Sequence, residues 1–225
     1  MATRPRQLEL RLRSWGGRRP GAGRPPHPGR RAVPHRRRIA HVAHGPAHVT
    51  LRAARGVPSL RGAHVFAAVR AALAASSGPA FRLLEFSVQA DHMHLLVEAD
   101  GPTAFVGGCQ GLAIRVAKAV NRVRGRAGAV WGDRYHARQL ATQRALRHCL
   151  VYVLQNWRKH LPGARGLDPR SSAAWFGGWR TPVGPAPGPP PVAAPRTWLA
   201  RVGWLRHGRL GVDEAPRGGP GAVRR

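Results

Sequence analysis

The segment at residues 92–99 has the pattern of a strand with two different faces. Apolar side chains occupy every second position, at Met93, Leu95, Val97 and Ala99. Because successive side chains of a strand point to opposite sides, this set forms one apolar face, and His92, His94 and Leu96 lie on the other. We therefore expect a strand that buries one side in the core and turns two imidazoles away from it.

The elements around this strand follow the order strand, helix, strand, strand, helix, strand, helix. Their expected ranges are about 48–53, 59–76, 81–89, 92–99, 103–124, 135–140 and 142–160. Ser59 and Thr142 are expected to cap the first and last helices. This order predicts a ferredoxin-like α+β fold, a four-stranded antiparallel sheet with its helices mainly on one face. The other face would be open, and such faces commonly bind single-stranded nucleic acid.

The chain of 225 residues has room for one ordinary domain and flanking segments. Residues 1–45 are rich in Arg, Gly and Pro and lack periodicity, which predicts a disordered basic arm. Regular patterning spans the domain at 46–180. We expect a Pro-rich linker at 181–195, a short amphipathic helix that docks on the domain at 196–212, and a disordered tail at 213–225.

The formal net charge of +29 predicts a polyanionic partner, in the first place nucleic acid. Lys118 and Lys159 are the only lysines among 38 basic residues, so nearly all of the charge is arginine. A high-GC genome favours arginine in any protein, so the size of the charge is weaker evidence than its sign. Nine acidic residues cannot neutralise it.

The two cysteines, Cys109 and Cys149, fall at apolar positions of expected helices, which favours buried thiols over a disulfide. No apolar run approaches the ~20 residues of a membrane span, and the N-terminus has no apolar signal core. We expect a cytoplasmic protein, associated with the bacterial nucleoid if DNA is its partner.

The imidazoles of His92 and His94, two positions apart on one strand, could hold one divalent ion. They cannot complete a metal site alone. The alternative is two ordinary, half-exposed histidines in a chain that has twelve.

Tyr152 and Asn156 are neighbours one turn apart on the last expected helix, and both lie on the flank of its apolar stripe. A phenol at such a position can act as a nucleophile, or can simply be a surface tyrosine. The competing nucleophile is Tyr135, but its place beside Trp131 and Arg134 is more natural for a packing role.

Together, these residues resemble the HUH single-tyrosine transposases, and most closely the REP-associated tyrosine transposases of bacteria. The resemblance covers about residues 46–180. The matching motifs are His-Val-Thr-Leu-Arg at 48–52, Ser-Val-Gln-Ala-Asp-His-Met-His-Leu-Leu-Val-Glu at 87–98, Asp-Arg-Tyr-His-Ala-Arg at 133–138 and Tyr-Val-Leu-Gln-Asn at 152–156. Many relatives have Pro after the last motif. Trp157 stands there in this chain, so the helix is expected to continue through His160.

The resemblance implies the roles of four residues. His92, His94 and Asn156 would hold Mg²⁺ or Mn²⁺, and Tyr152 would be the nucleophile. The implied activity is that of a metal-dependent single-stranded DNA endonuclease and strand transferase with a 5′-phosphotyrosine intermediate. The implied partner is single-stranded or hairpin DNA, and a monomer is favoured over a dimer.

Basic residues on the domain and on the arm are expected to contact the DNA: Arg52, Arg134, Arg138, Arg158 and Lys159 on the domain, and Arg18, Arg19 and Arg24 on the arm. Gly23-Arg24-Pro25 resembles the core of an AT-hook, which reads a minor groove. The alternative is a generic basic tail that binds phosphates without sequence preference.

Two rival functions remain open from the sequence. One is a non-catalytic nucleic-acid-binding module on the same fold, in which Tyr152 has no chemical role. The other is a zinc-binding structural protein, which is weaker because the chain has no paired-cysteine spacing.

Overall fold

The computed structural model describes residues 45–161 and 163–216. The predicted arm and most of the predicted tail lie outside these residues, and so do Arg18, Arg19 and Arg24. None of the helices in the described part of the chain is long and apolar enough to cross a membrane.

Four antiparallel strands form one sheet in the order β2-β3-β1-β4. The strands are Ala47–Arg52 (β1), Phe81–Val88 (β2), His92–Ala99 (β3) and His136–Gln139 (β4). The α-helices are Ala63–Ala74 (α1), Pro102–Val123 (α2), Gln143–Gln155 (α3) and Trp198–Arg201 (α4). Short 3-10 turns cover Asn156–Lys159, Ala173–Trp175 and Gly203–His207. The predicted α+β class is confirmed, and β3 and β1 are the two central strands.

The first face of the sheet is the main apolar core, covered by α1 and α2. Met93, Leu95, Val97 and Ala99 are all buried there, which confirms the predicted apolar face of β3. Cys109 belongs to the same core, and both cysteines are buried free thiols, as predicted. The first face thus fixes which way the histidines of β3 must point.

The second face is not open along β2 and β3, contrary to expectation. A second apolar cluster joins Leu84 and Leu96 to α3 and to the C-terminal residues Trp204 and Leu210. Leu96 is the one apolar residue on the histidine side of β3, and it packs against α3 on this face. The covering helix is the one that carries Tyr152.

Two predicted helix ends are wrong, whereas the predicted cap at Thr142 is confirmed. Gly62, not Ser59, precedes α1, and Ser59 Oγ instead accepts a hydrogen bond from the Arg61 backbone N–H in the preceding turn. Thr142 caps α3 as expected, since its Oγ1 accepts from the Ala145 N–H at 3.1 Å. The α-helix ends at Gln155 rather than near His160, and a 3-10 turn follows.

The early end of α3 coincides with contacts from the C-terminal part of the chain. The Gln155 side chain donates to the Val212 carbonyl oxygen, and Arg158 donates to the same oxygen at 3.2 Å and to Asp213 at 2.9 Å. Arg147, further up α3, pairs with Glu214. These three side chains bind the helix to a segment more than fifty residues away, so local sequence could not predict its end.

Glu85 is a buried carboxyl whose titration should make stability depend on pH. Burial raises its pKa to about 8, although Ser172 Oγ donates a hydrogen bond to it. The folded pKa lies above the ordinary value, so the folded state favours the protonated form. Glu85 therefore destabilises the fold progressively as pH rises from about 4.5 through 8.

We predict that Glu85→Gln removes this pH dependence. The variant should match the wild type in free energy of unfolding near pH 4.5 and exceed it by several kcal/mol at pH 9. Urea unfolding at pH 5, 7 and 9 measures the difference. A difference that is the same at all three pH values would show that Glu85 does not titrate on unfolding.

Candidate active site

Three elements bring their polar side chains together on the second face of the sheet. β1 and β3 are adjacent, with Thr50 directly opposite His94 in the register. The α3 helix crosses this face and places the Tyr152 ring 4.9 Å from the His94 ring, centre to centre. We name His92, His94 and Tyr152, together with Asn156 one turn beyond Tyr152, the active-site cluster.

His94 is held in a single orientation with one ring nitrogen unused. Its Nδ1 lies 3.2 Å from both His48 Nε2 and Thr50 Oγ1. Its Nε2 is buried and meets no hydrogen-bond partner among the described residues. The ring is only 4% exposed, and this burial, followed by the charge of His48, lowers its pKa to about 2. His94 is therefore neutral at ordinary pH, and a proton on Nδ1 would leave the Nε2 lone pair for a ligand.

His92 has the same arrangement with a carboxylate as its orienting partner. Its Nδ1 lies 2.7 Å from Asp91 Oδ1, and Arg52 donates to the other Asp91 oxygen at 3.3 Å. The hydrogen bond to His92 lowers the pKa of Asp91, which keeps that carboxyl ionised. A carboxylate that accepts from Nδ1 is the usual partner of a histidine that binds metal through Nε2.

Tyr152 is half-buried between the histidines and a lysine. Its ring lies 5.6 Å from the His48 ring, and Lys159 Nζ lies 4.5 Å from the centre of the Tyr152 ring. Burial, and after it Cys149, raises the pKa of Tyr152, so the hydroxyl remains a neutral phenol at physiological pH. A reaction at this oxygen would need help from nearby positive charge.

Asn156 begins the 3-10 turn after α3, one turn beyond Tyr152. Its side chain is 1% exposed. Within residues 45–161 and 163–216, neither atom of its amide has a hydrogen-bond partner. A buried amide without partners is costly, and a ligand would satisfy it.

Two imidazole nitrogens and an amide oxygen are donor atoms that divalent ions accept. No group of three or more His, Cys, Asp or Glu side chains in the described ranges could hold a metal. A site would therefore need the Asn156 oxygen beside the two imidazoles. Such a site would satisfy two buried polar groups that have no partner in the described part of the chain, His94 Nε2 and the Asn156 amide.

The sequence assigned no role to His48, Thr50 or His160, which the structure places beside the cluster. His48 is buried, and this burial, with the charges of His136 and Arg138, lowers its pKa to about 4. His160 lies 5.5 Å from His92, ring centre to ring centre. Alternation along β1 indicated that His48 and Thr50 share a face, but only the register of β1 on β3 reveals that they meet His94.

Tyr135, the competing nucleophile, lies in the core on the first face. It is buried and contacts Phe105 edge-on, with ring centres 6.1 Å apart. The sheet thus separates it from the histidines.

The basic residues of the domain differ in their surroundings. Arg52, Arg134 and Arg138 are exposed, and Arg138 is directly opposite His48 in the sheet register. Arg158 instead donates to the carbonyl oxygens of Ala164, Gly166 and Val212. Its guanidinium is committed to the fold, so we leave it out of the DNA contacts proposed below.

No protein-family model matches this chain, and no curated protein gives a significant match. Among solved structures, one similar chain is a REP-associated tyrosine transposase bound to a REP hairpin. The fold resembles that transposase. The two chains are 19% identical, the likeness covers 56% of this chain and 74% of the other, and the TM-score is 0.46. At this level of likeness, we base the function on the site residues.

Proposed function

We propose that this protein is a metal-dependent endonuclease and strand transferase for single-stranded DNA, with Tyr152 as its nucleophile. The observation that carries the proposal is the Tyr152 ring beside His94, whose buried Nε2 has no hydrogen-bond partner among the described residues. A ligand on that nitrogen would satisfy it, which a packing role for Tyr152 does not. The rival, a module that only binds nucleic acid, gives that nitrogen no ligand.

The metal ligands in this proposal are His92 Nε2, His94 Nε2 and Asn156 Oδ1. Asp91 and His48 are positioning residues, because each engages the Nδ1 atom of one ligand histidine. A bound Mg²⁺ or Mn²⁺ would supply a Lewis acid for the scissile phosphate.

The nucleophilic step is a displacement at phosphorus. The Tyr152 hydroxyl loses its proton as its oxygen forms a bond to phosphorus. The bond from phosphorus to the 3′-oxygen breaks, and that oxygen takes up a proton. The products are a 5′-phosphotyrosine and a free 3′-hydroxyl. A 3′-hydroxyl from another strand can reverse the step and join DNA without an external energy source.

Substrate binding in this proposal rests on charge. Arg52, Arg134, Arg138 and Lys159 would contact phosphates around the cluster, and their charge suits a polyanion. Arg18, Arg19 and Arg24 would raise affinity from the arm, whether as an AT-hook or as a generic basic tail. With chromosomal DNA as substrate, the protein would act at the bacterial nucleoid. We propose a monomer, since α3 already packs on β2 and β3 of its own chain.

The test of the proposal is a covalent adduct. Full-length protein incubated with labelled single-stranded hairpin DNA and Mn²⁺ should give a denaturation-resistant protein–DNA band, and EDTA should prevent it. The same samples, followed by anisotropy without denaturation, should bind DNA with and without Mn²⁺. Binding without any adduct would favour the non-catalytic rival, and an adduct in EDTA would exclude the metal role.

Lys159 should assist the reaction through its charge. Its ammonium lies against the Tyr152 ring, so it would stabilise the phenolate that forms as the proton leaves. We predict that Lys159→Gln lowers the cleavage rate about 10-fold or more and moves the pH–rate profile to higher pH. Single-turnover cleavage from pH 6 to 9 measures both effects.

The chain offers a matched control in Lys118, the other lysine, which is exposed on α2. Lys118→Gln removes the same charge from the molecule and should leave the cleavage rate and the pH profile unchanged. Equal losses in both variants would reduce the role of Lys159 to general attraction of DNA.

A further inference from the structure

A cavity of about 390 Å³ lies between β2, α3 and the C-terminal part of the chain. Its volume falls within the range of small-molecule sites, roughly 300–1,000 Å³. Apolar and aromatic side chains make up most of its wall, among them Leu84, Leu96, Leu150, Trp175, Phe176 and Trp204. The residues of the active-site cluster are not in this lining, so the cavity is a separate feature of the same face.

Glu85 brings a carboxyl into this apolar wall. A bulge in β2 between Leu83 and Glu85 changes the register on β3, and both Leu84 and Glu85 line the cavity. The Glu85 side chain is 9% exposed, and Ser172 Oγ donates to its Oε2. A carboxyl kept neutral by such burial presents one donor and one acceptor side by side.

Aromatic rings and basic side chains complete the surroundings. Phe176 and Trp204 have ring centres 5.6 Å apart, and Trp175, which is partly exposed, is fixed by a hydrogen bond from its Nε1 to the Gly188 carbonyl oxygen. Arg201 and Arg209 are exposed and belong to the same lining. The cavity therefore offers an apolar and aromatic wall, a polar edge at Glu85 and positive charge at Arg201 and Arg209.

We propose that this cavity receives one unpaired nucleobase of the DNA strand. The base would stack on the aromatic side chains, its edge would meet the Glu85 carboxyl, and flanking phosphates would contact Arg201 and Arg209. Every nucleobase has an adjacent donor and acceptor on its pairing edge, which matches a neutral carboxyl. The inference rests on single-stranded DNA as the substrate of the proposed function.

An abasic scan tests the inference without catalysis. The full chain carrying Tyr152→Phe is mixed, in EDTA, with single-stranded hairpin oligonucleotides in which one flanking base at a time is removed. We expect one position whose removal weakens binding about 10-fold, the scale of one stacked base. Deoxynucleoside monophosphates should compete only weakly, because a free nucleotide lacks the remaining strand.

Three variants of the cavity test whether the base at that position occupies it. Ala194→Phe fills the cavity and Glu85→Met removes its polar edge, so both should abolish the position-specific loss. Glu85→Gln keeps a donor and an acceptor in nearly the same shape and should retain it. If Ala194→Phe fails to fold, the comparison of Glu85→Met with Glu85→Gln still shows whether the Glu85 edge contacts that base.

The outcomes separate this inference from the proposed function. Strand binding with no sensitive position, or a sensitive position that survives Glu85→Met and Ala194→Phe, overturns the inference and leaves the function standing. Free nucleotides that bind as tightly as the strand overturn it as well, since the cavity would then be a nucleotide site. A chain that binds no single-stranded DNA overturns both.

Discussion

Tyr152→Phe should abolish formation of the protein–DNA adduct and lower strand cleavage by at least about 10⁴-fold, as loss of a nucleophile does in other covalent enzymes. The change removes one oxygen and keeps the ring between His94, His48 and Lys159. Folding and DNA affinity should therefore be unaffected. Denaturing gels with labelled hairpin DNA measure the adduct, and anisotropy measures binding.

The matched control is Tyr135→Phe, which removes the only other phenol of the chain. Tyr135 lies in the core on the opposite face of the sheet, so this variant should cleave at nearly the wild-type rate once its fold is verified. An adduct that persists in Tyr152→Phe and disappears in Tyr135→Phe would reverse the assignment.

His94→Ala should lower cleavage by about 10²-fold or more, because it removes the buried nitrogen that we assign to the metal. Binding of Mn²⁺, followed by its electron paramagnetic resonance signal, should weaken in parallel. DNA affinity in EDTA should stay close to that of the wild type, since the arginines remain. The metal readout separates a lost ligand from a general loss of activity.

His64 provides the control for this variant. It is an exposed histidine on α1, which covers the first face of the sheet. His64→Ala therefore removes an imidazole from the side opposite the assigned ligands. Its Mn²⁺ signal and its cleavage rate should match the wild type. If His94→Ala binds Mn²⁺ as well as His64→Ala does, His94 is not a ligand.

The sequence predicted the strand at residues 92–99 to the residue because the two faces of that strand differ so clearly in polarity. Met93 and Leu95 define one side, and the histidines define the other. The order of elements then limited the fold to a few possibilities. The same local logic placed the cap at Thr142, where the side chain and its partner lie three residues apart.

Apart from the local error at Ser59, what the sequence did not predict depends on contacts between distant parts of the chain. The end of α3 is associated with Val212 and Asp213, far from Gln155 in sequence. The covered second face depends on Leu96 meeting α3 and the C-terminal residues. The role of His48 depends on strand register, and a single sequence does not reveal which residues of β1 and β3 are opposite each other.

The alternation along β3 has a consequence for how such a chain can change over time. Substitutions at single positions of this strand alter either the core or the site. A one-residue shift of the whole strand, from an insertion or deletion just before His92, would exchange the two faces, so both imidazoles would enter the apolar core and the methionine and leucine would face Tyr152. On α3, a one-residue insertion or deletion before Tyr152 would turn its side chain by about 100° around the helix axis. A descendant of this chain would therefore keep the site only if the lengths of β3 and α3 up to these residues stay unchanged, and not merely the residues themselves.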